Sequence, residues 1–132
     1  MSEQENVQTV QKIYEAFGRG DIPALLNLLD PQCELHFEGT AEVPWAGLRR
    51  GRDGWMAFFQ AVATNLEEVA VNMAPFAAQG DRVVAAGRYT GRVRSTGKRI
   101  DSPLVHLWTL RDGLVVRCDE MTNTAAEAAA CR

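Results

Sequence analysis

After Leu66 the chain breaks into four strand-like blocks separated by three tight turns, and no other feature of the sequence restricts the fold as strongly. The blocks fall near residues 68–78, 82–94, 99–110 and 114–122, and the turns are Gln79-Gly80-Asp81, Ser95-Thr96-Gly97-Lys98 and Arg111-Asp112-Gly113. Turns this short leave no room for a crossover, so consecutive blocks must be antiparallel neighbours. Strands longer than about 10 residues exceed the usual length of about 5–6, so the sheet must twist and curl. Gly87, Gly91 and Pro103 lie inside the blocks and are the expected bend or bulge points.

The first half of the chain follows a helical period instead. Ser2 and Glu5 form the S-x-x-E pattern of a capping box. Val7, Val10, Ile13, Tyr14 and Phe17 recur at helical spacing, which predicts an amphipathic helix over residues 3–17, stopped by Gly18 and Gly20. Asp21 is placed to cap a second helix that carries Leu25, Leu26, Leu28 and Leu29 and ends at Asp30-Pro31. Residues 33–38 alternate, with Cys33, Leu35 and Phe37 on one face and Glu34, His36 and Glu38 on the other, as in a short half-buried strand. A Gly- and Pro-containing loop runs from Gly39 to Gly51, and Asp53 is placed to cap a third helix bearing Trp55, Met56, Phe58, Phe59 and Val62. The alanine-rich tail, Ala125 to Arg132, reads as a frayed helix. Helices first and a meander last make an α+β domain: a curved antiparallel sheet wrapped around N-terminal helices, a cone with an internal pocket.

The length of 132 residues fits one domain, residues 1–132, with a core that needs no metal or disulfide staple. Fourteen basic residues interleave with 17 acidic ones for a net charge of -3, which leaves no electrostatic footprint for nucleic acid. No apolar run approaches the ~20 residues of a membrane helix, so no membrane partner is expected. The N-terminus lacks the basic-then-apolar order of a signal peptide. Cys33, Cys118 and Cys131 are odd in number and fit neither a zinc site nor a redox pair; a cytoplasmic location is expected.

Four segments carry a resemblance to a known family. They are Tyr14-Glu15-Ala16-Phe17-Gly18-Arg19-Gly20-Asp21, Trp45-Ala46-Gly47-Leu48-Arg49-Arg50-Gly51-Arg52-Asp53-Gly54, Val105-His106-Leu107-Trp108-Thr109-Leu110-Arg111-Asp112-Gly113, and the closing strand to Ala125. Over nearly the whole chain they resemble the SnoaL-like and ketosteroid-isomerase-like branch of the nuclear-transport-factor-like superfamily. The resemblance implies the cone fold. It leaves activity open, because that superfamily includes isomerases, polyketide cyclases, epoxide hydrolases, dehydratases and binding proteins without activity. The isomerase set of an Asp base with a Tyr and a protonated Asp is not carried over: counted from Gly20-Asp21, the base falls at Phe37, the Tyr at Ile13 and the second Asp at His106. The position of the hydrolase-type acid on the last strand holds Glu120, and the Asp common three residues later is Asn123. Asp101 with Arg99 resembles the Arg-and-Asp arrangement of the epoxide hydrolases, provided Pro103 does not shift its face.

The residues themselves point to one strand pair. A three-residue turn at 111–113 pairs Leu110 with Leu114, Trp108 with Val116, His106 with Cys118 and Leu104 with Glu120, so these inward positions share one mostly apolar face. In that register His106 and Glu120 are diagonal neighbours, roughly 7–8 Å apart at the backbone. A carboxyl and an imidazole on an apolar face are suited to proton transfer near neutral pH, or to a purely structural hydrogen bond. The candidate catalytic residues are therefore Glu120 and His106. Trp45, Trp55, Phe59, Tyr89, Trp108 and Cys118 are the candidate pocket walls, with Trp45 expected at the mouth. No metal ligand set has a recognisable spacing, and no cofactor is expected. The outer face carries Val105, Leu107 and Thr109 beside arginines, which predicts a homodimer through the sheet. The expected function is a cofactor-free acid–base enzyme, an isomerase, aldol-type cyclase or epoxide hydrolase, acting on a small hydrophobic molecule. The alternative is a non-catalytic binding or protein-interaction module of the same fold.

Overall fold

The computed structural model describes residues 2–132. Three helical segments and two strands occupy the first half: α1 (Glu3–Gly18), α2 (Ile22–Leu26), β1 (Leu29–Phe37), β2 (Gly47–Arg50) and α3 (Gly51–Asn65). The meander follows as β3 (Leu66–Gln79), β4 (Arg82–Val93), β5 (Arg99–Arg111) and β6 (Leu114–Thr122), and α4 (Thr124–Ala130) closes the chain. The capping box forms as the sequence predicts, with Glu5 N–H donating to Ser2 Oγ and Ser2 N–H to Glu5 Oε1, both at 3.0 Å. Val10, Ile13 and Ala16 bury the apolar stripe of α1 against the sheet. Among the described residues, no helix is long and apolar enough to cross a membrane.

One six-stranded sheet has the order β2-β1-β6-β5-β4-β3. The three meander pairs are antiparallel, as expected, but β1 enters beside β6 in parallel. The connection from β1 through β2 and α3 to the far edge supplies the crossover, so the sheet is mixed and mostly antiparallel. The Gly39–Gly51 region is not all loop: Gly47–Arg50 pairs with β1. The third helix begins at Gly51, with Arg50 at its N-cap, and Asp53 sits in its first turn without capping it. The second helix stops at Leu26, so Leu29 belongs to β1.

The strand glycines do mark the bulges, although the extra residues lie on the neighbouring strand, and Pro103 marks none. β4 and β5 pair without interruption from Arg82↔Thr109 to Arg92↔Arg99, through Gly91 and Pro103. β3 carries an extra residue at two places, between Glu67 and Ala70, opposite Gly91, and between Met73 and Phe76, beside Gly87. Gly87 faces the second of these, and a Cβ there would lie 1.9 Å from the Asn72 carbonyl oxygen, so only glycine admits the close approach of β3. The alanine-rich tail is not frayed: Asn123 caps α4 by accepting from Ala126 N–H, and Glu127, Ala128 and Ala130 are buried.

Candidate functional site

The decisive local feature is a bulge in the β5–β6 pair. The turn has two residues, Asp112 and Gly113, with Arg111 opposite Leu114 and Leu110 opposite Val115. One extra residue on β6 then shifts the ladder, so that Thr109 faces Arg117, Trp108 faces Cys118 and His106 faces Glu120. One of the expected inward positions changes as a result, with Val115, not Val116, turning into the core; Leu104 stays inward but faces Thr122 instead of Glu120. His106 and Glu120 become direct cross-strand partners, each 7% exposed, with His106 Nε2 2.9 Å from Glu120 Oε2. The approach is close but poorly aimed: Nε2 makes no aligned hydrogen bond.

The other imidazole nitrogen has a partner that the sequence reading assigned only to the helix core. Tyr14 Oη lies 2.5 Å from His106 Nδ1, and Trp108 Nε1 donates to Tyr14 Oη at 3.0 Å. Counting from Gly20-Asp21 placed Ile13 at the tyrosine position; the phenol beside His106 comes from its neighbour. An indole N–H only donates. The arrangement that satisfies Trp108 Nε1, the Tyr14 hydroxyl and His106 Nδ1 together has Tyr14 accepting from Trp108 and donating to Nδ1, which leaves the imidazole hydrogen on Nε2. Burial pushes the Tyr14 phenol well above its ordinary pKa, reinforced by nearby Cys118 and Glu120 and opposed by the Trp108 hydrogen bond, so it remains a donor.

These groups line a cavity of about 90 Å³. Its lining includes Trp45, Trp55, Phe59, Tyr89, Leu104, His106, Trp108 and Glu120. Trp55 and Trp108 stack with ring centroids 6.2 Å apart, and Trp55 Nε1 donates to the Cys33 carbonyl at 3.3 Å, which fixes that wall. The half-buried lining residues are Tyr14 and Phe17 on α1, Phe59 and Val62 on α3, and Val69 and Val71 on β3, so the opening lies between those three elements. Trp45 is not at the mouth. It is 1% exposed and forms part of the wall, because the turn before β2 folds its indole inward while Arg49 Nη1 holds its carbonyl at 2.8 Å. Cys118 is fully buried and does not line the cavity.

The Arg99 and Asp101 pair stays outside. Pro103 leaves the register unshifted, so Asp101 is exposed and pairs with Arg88 at 3.0 Å, while Arg99 pairs with Glu68 at 3.1 Å. His36 lies on the outer face as expected, 2.8 Å from Glu34. Asn123 caps α4. One grouping was invisible in the linear spacing: ligand atoms of His106, Cys118 and Glu120 all lie within 4.8 Å of one another. Burial, with Glu120, Cys33 and Asp119 adding to it, pushes the Cys118 thiol well above its ordinary pKa. A metal needs the thiolate, which burial disfavours here, so this set fits an ion poorly.

The model of the SnoaL-like domain matches residues 10–118. The chain belongs to the SnoaL-like family. No curated protein matches this SnoaL-like chain. Among solved structures it is similar to an NTF2-like protein from Burkholderia xenovorans LB400, at 35% identity over 100% of this chain and 99% of that one, with a TM-score of 0.91. An NTF2-like protein of unknown function from Burkholderia pseudomallei K96243 follows at 29% identity, 99% and 98% coverage and a TM-score of 0.89. TerC, co-crystallized with polyporic acid, is 26% identical over 96% of this chain and 98% of that one, with a TM-score of 0.87. The SnoaL-like fold thus spans the cone, and the His106–Glu120 pair lines its cavity.

Proposed function

We propose that this SnoaL-like protein is a cofactor-free acid–base enzyme that enolises a small hydrophobic carbonyl compound, as an isomerase or an aldol-type cyclase. The observation that carries this reading is Glu120. Its carboxyl lines an apolar cavity at 7% exposure, and among the described residues no donor forms an aligned hydrogen bond with it. The buried atom left without an aligned hydrogen bond is its neighbour His106 Nε2, 2.9 Å away, and a carboxyl and an imidazole set side by side on an apolar wall are suited to proton transfer. Glu120 takes the proton from the carbon next to the carbonyl, and the electron pair moves to the oxygen. The Nε2–H of His106, held in place through Tyr14 and Trp108, donates to that oxygen as its charge develops. Return of the proton to another carbon of a conjugated enolate completes an isomerisation; in an aldol closure the enolate carbon attacks a second carbonyl, whose π pair moves to its oxygen, and that alkoxide takes the proton back from Glu120. The epoxide hydrolase reading loses support because Arg99 and Asp101 face outward.

The cavity favours one ring. A water needs about 10–15 Å³ by the same measure, so about 90 Å³ is space for a single-ring molecule. A larger body would extend through the opening between α1, α3 and β3. That TerC was co-crystallized with polyporic acid supports a small-molecule ligand for a chain of this fold. The cytoplasm is the proposed location, in keeping with three free cysteines, two of them buried.

Deuterium exchange of a single-ring enolisable ketone such as phenylacetone, followed by NMR in D₂O, tests the reading without knowledge of the natural substrate. The protein should accelerate exchange, and Glu120→Gln should slow it by about 10²–10⁴-fold. A thermal melt on the same variant separates the structural explanation: a lower melting temperature with unchanged exchange would make the pair a packing device. Binding of the ketone with no acceleration at all would favour the non-catalytic binding module.

A further inference from the structure

The aromatic walls of the cavity keep their polar atoms engaged with the framework. Trp55 Nε1 donates to the Cys33 carbonyl at 3.3 Å, and Trp108 Nε1 donates to Tyr14 Oη at 3.0 Å. Tyr14 Oη is itself held by His106 Nδ1. The Tyr89 hydroxyl donates to Glu127 on α4, and the Trp45 indole approaches the same carboxyl. Glu127 is 0% exposed and stands behind the wall, outside the lining. Its other oxygen accepts from Thr122 Oγ1 at 2.5 Å. Apart from His106 and Glu120, the rest of the lining is aliphatic or phenylalanine, and the cavity surface is almost wholly apolar.

This pattern limits what a ligand can carry. A hydroxyl, amine or carbonyl gives up its water on entering, and an enclosed polar group with no partner weakens binding. Indole and phenol groups commonly serve as such partners. Here each already has one within the wall, and a ligand would have to break that bond to make its own. The exception is the Glu120–His106 pair, where Nε2 has no aligned hydrogen bond and the two side chains stand 2.9 Å apart. The cavity therefore has a single polar point.

We propose that the cavity selects a ring that bears one carbonyl and no second polar group on its enclosed part. This rests on the reading of the Glu120–His106 pair as the place where the carbonyl sits. The substrate class is a neutral, single-ring monoketone. A hydroxylated aromatic ketone matches it in size but sets a hydroxyl against apolar wall. A poly-ketone chain, with a carbonyl on every second carbon, sets several oxygens against the same wall and is disfavoured for the same reason. Within the proposed chemistry this selects isomerisation over aldol closure, which needs a second carbonyl in the enclosed space.

Calorimetric titration with 3,5-dimethylacetophenone and 3,5-dihydroxyacetophenone tests the selectivity. The two are nearly equal in size. With the carbonyl at the pair, substituents on opposite sides of the ring cannot both reach the opening between α1, α3 and β3. The native protein should bind the dimethyl compound at least about tenfold more tightly. Val71→Thr places a hydroxyl in the wall at nearly the same shape, and it should narrow that ratio by strengthening binding of the dihydroxy compound. Val69→Thr repeats the test from the next inward position of β3 if a thermal melt shows the first variant to be poorly folded. Equal affinities for the native protein overturn the proposal. So does a ratio that neither variant changes, since the preference would then reflect transfer from water alone. Binding of neither compound overturns it together with the ligand-site reading. Both ketones are enolisable at the acetyl group, so deuterium exchange on the same samples reports separately on Glu120. Selective binding without accelerated exchange keeps the selectivity and removes the acid–base reading; equal binding with accelerated exchange does the reverse.

Discussion

His106 and Glu120 face each other directly across β5 and β6 because β6 carries one residue more than its partner between the turn and Arg117. Without that bulge the two side chains would sit a step apart on the ladder. With it, imidazole and carboxyl come within 2.9 Å while each keeps capacity for a third group. The bulge therefore converts two ordinary inward positions into a site.

The Trp108–Tyr14–His106 chain makes Tyr14→Phe informative. Removing the hydroxyl leaves the buried Trp108 N–H without its acceptor and His106 Nδ1 without its donor. The expected loss is about 1–3 kcal/mol of stability, read as a lower midpoint in urea unfolding with an unchanged slope. An unchanged midpoint would show that the chain contributes nothing to the fold.

Stability should also depend on pH through Glu127. Burial raises its folded pKa above the ordinary value, so the native state binds this proton more tightly than the unfolded chain. The stabilisation from the held proton is fully present below the ordinary carboxyl pKa of about 4.3. It is lost as pH rises through the folded value. Glu127→Gln lacks this proton, so the melting temperature of the native protein should fall relative to the variant as pH rises from 4 to 8. Parallel curves would mean that Glu127 titrates as it does in the unfolded chain.

Metal is the next question, because His106, Cys118 and Glu120 converge. With the Cys118 thiol held protonated by burial, neither stoichiometric zinc nor exhaustive chelation should move the melting temperature or the ketone exchange rate. A zinc-dependent rise in melting temperature that Cys118→Ser abolishes would reverse this conclusion.

The outer face of the sheet bears on assembly. Val84 and Met121 are 41% and 42% exposed there, beside half-buried Val105, Leu107 and Thr109. We expect a two-fold dimer through this face, with light scattering giving twice the chain mass and Met121→Lys shifting it towards one. A single-chain mass for the native protein at micromolar concentration would remove the interface.

Much of this was legible without coordinates. The four meander strands were placed to within two residues of their ends, and the capping box of α1 was read correctly, because short turns and local hydrogen-bonding patterns act over a few residues. Strand alternation put His106, Trp108 and Glu120 on one inward face, whereas Trp45, Trp55 and Phe59 stood out as aromatics of a loop and a helix. Tyr14 was read as one more residue of an amphipathic stripe, since helical period separates buried from exposed positions but does not tell which buried side chain reaches a cavity. Glu127 was passed over in an alanine-rich tail, where nothing local signals that the helix docks against β5 and buries its one acid.

By itself, then, the sequence determined the helices, the curled meander and the inward face of β5, because each depends on residues close together in the chain. Tertiary structure decided the parallel entry of β1, the inward turn of Trp45, the docking of α4 and the one-residue shift that sets His106 opposite Glu120. Those features depend on which distant surfaces meet and on where the sheet absorbs its curvature, and both are settled by packing the whole chain at once.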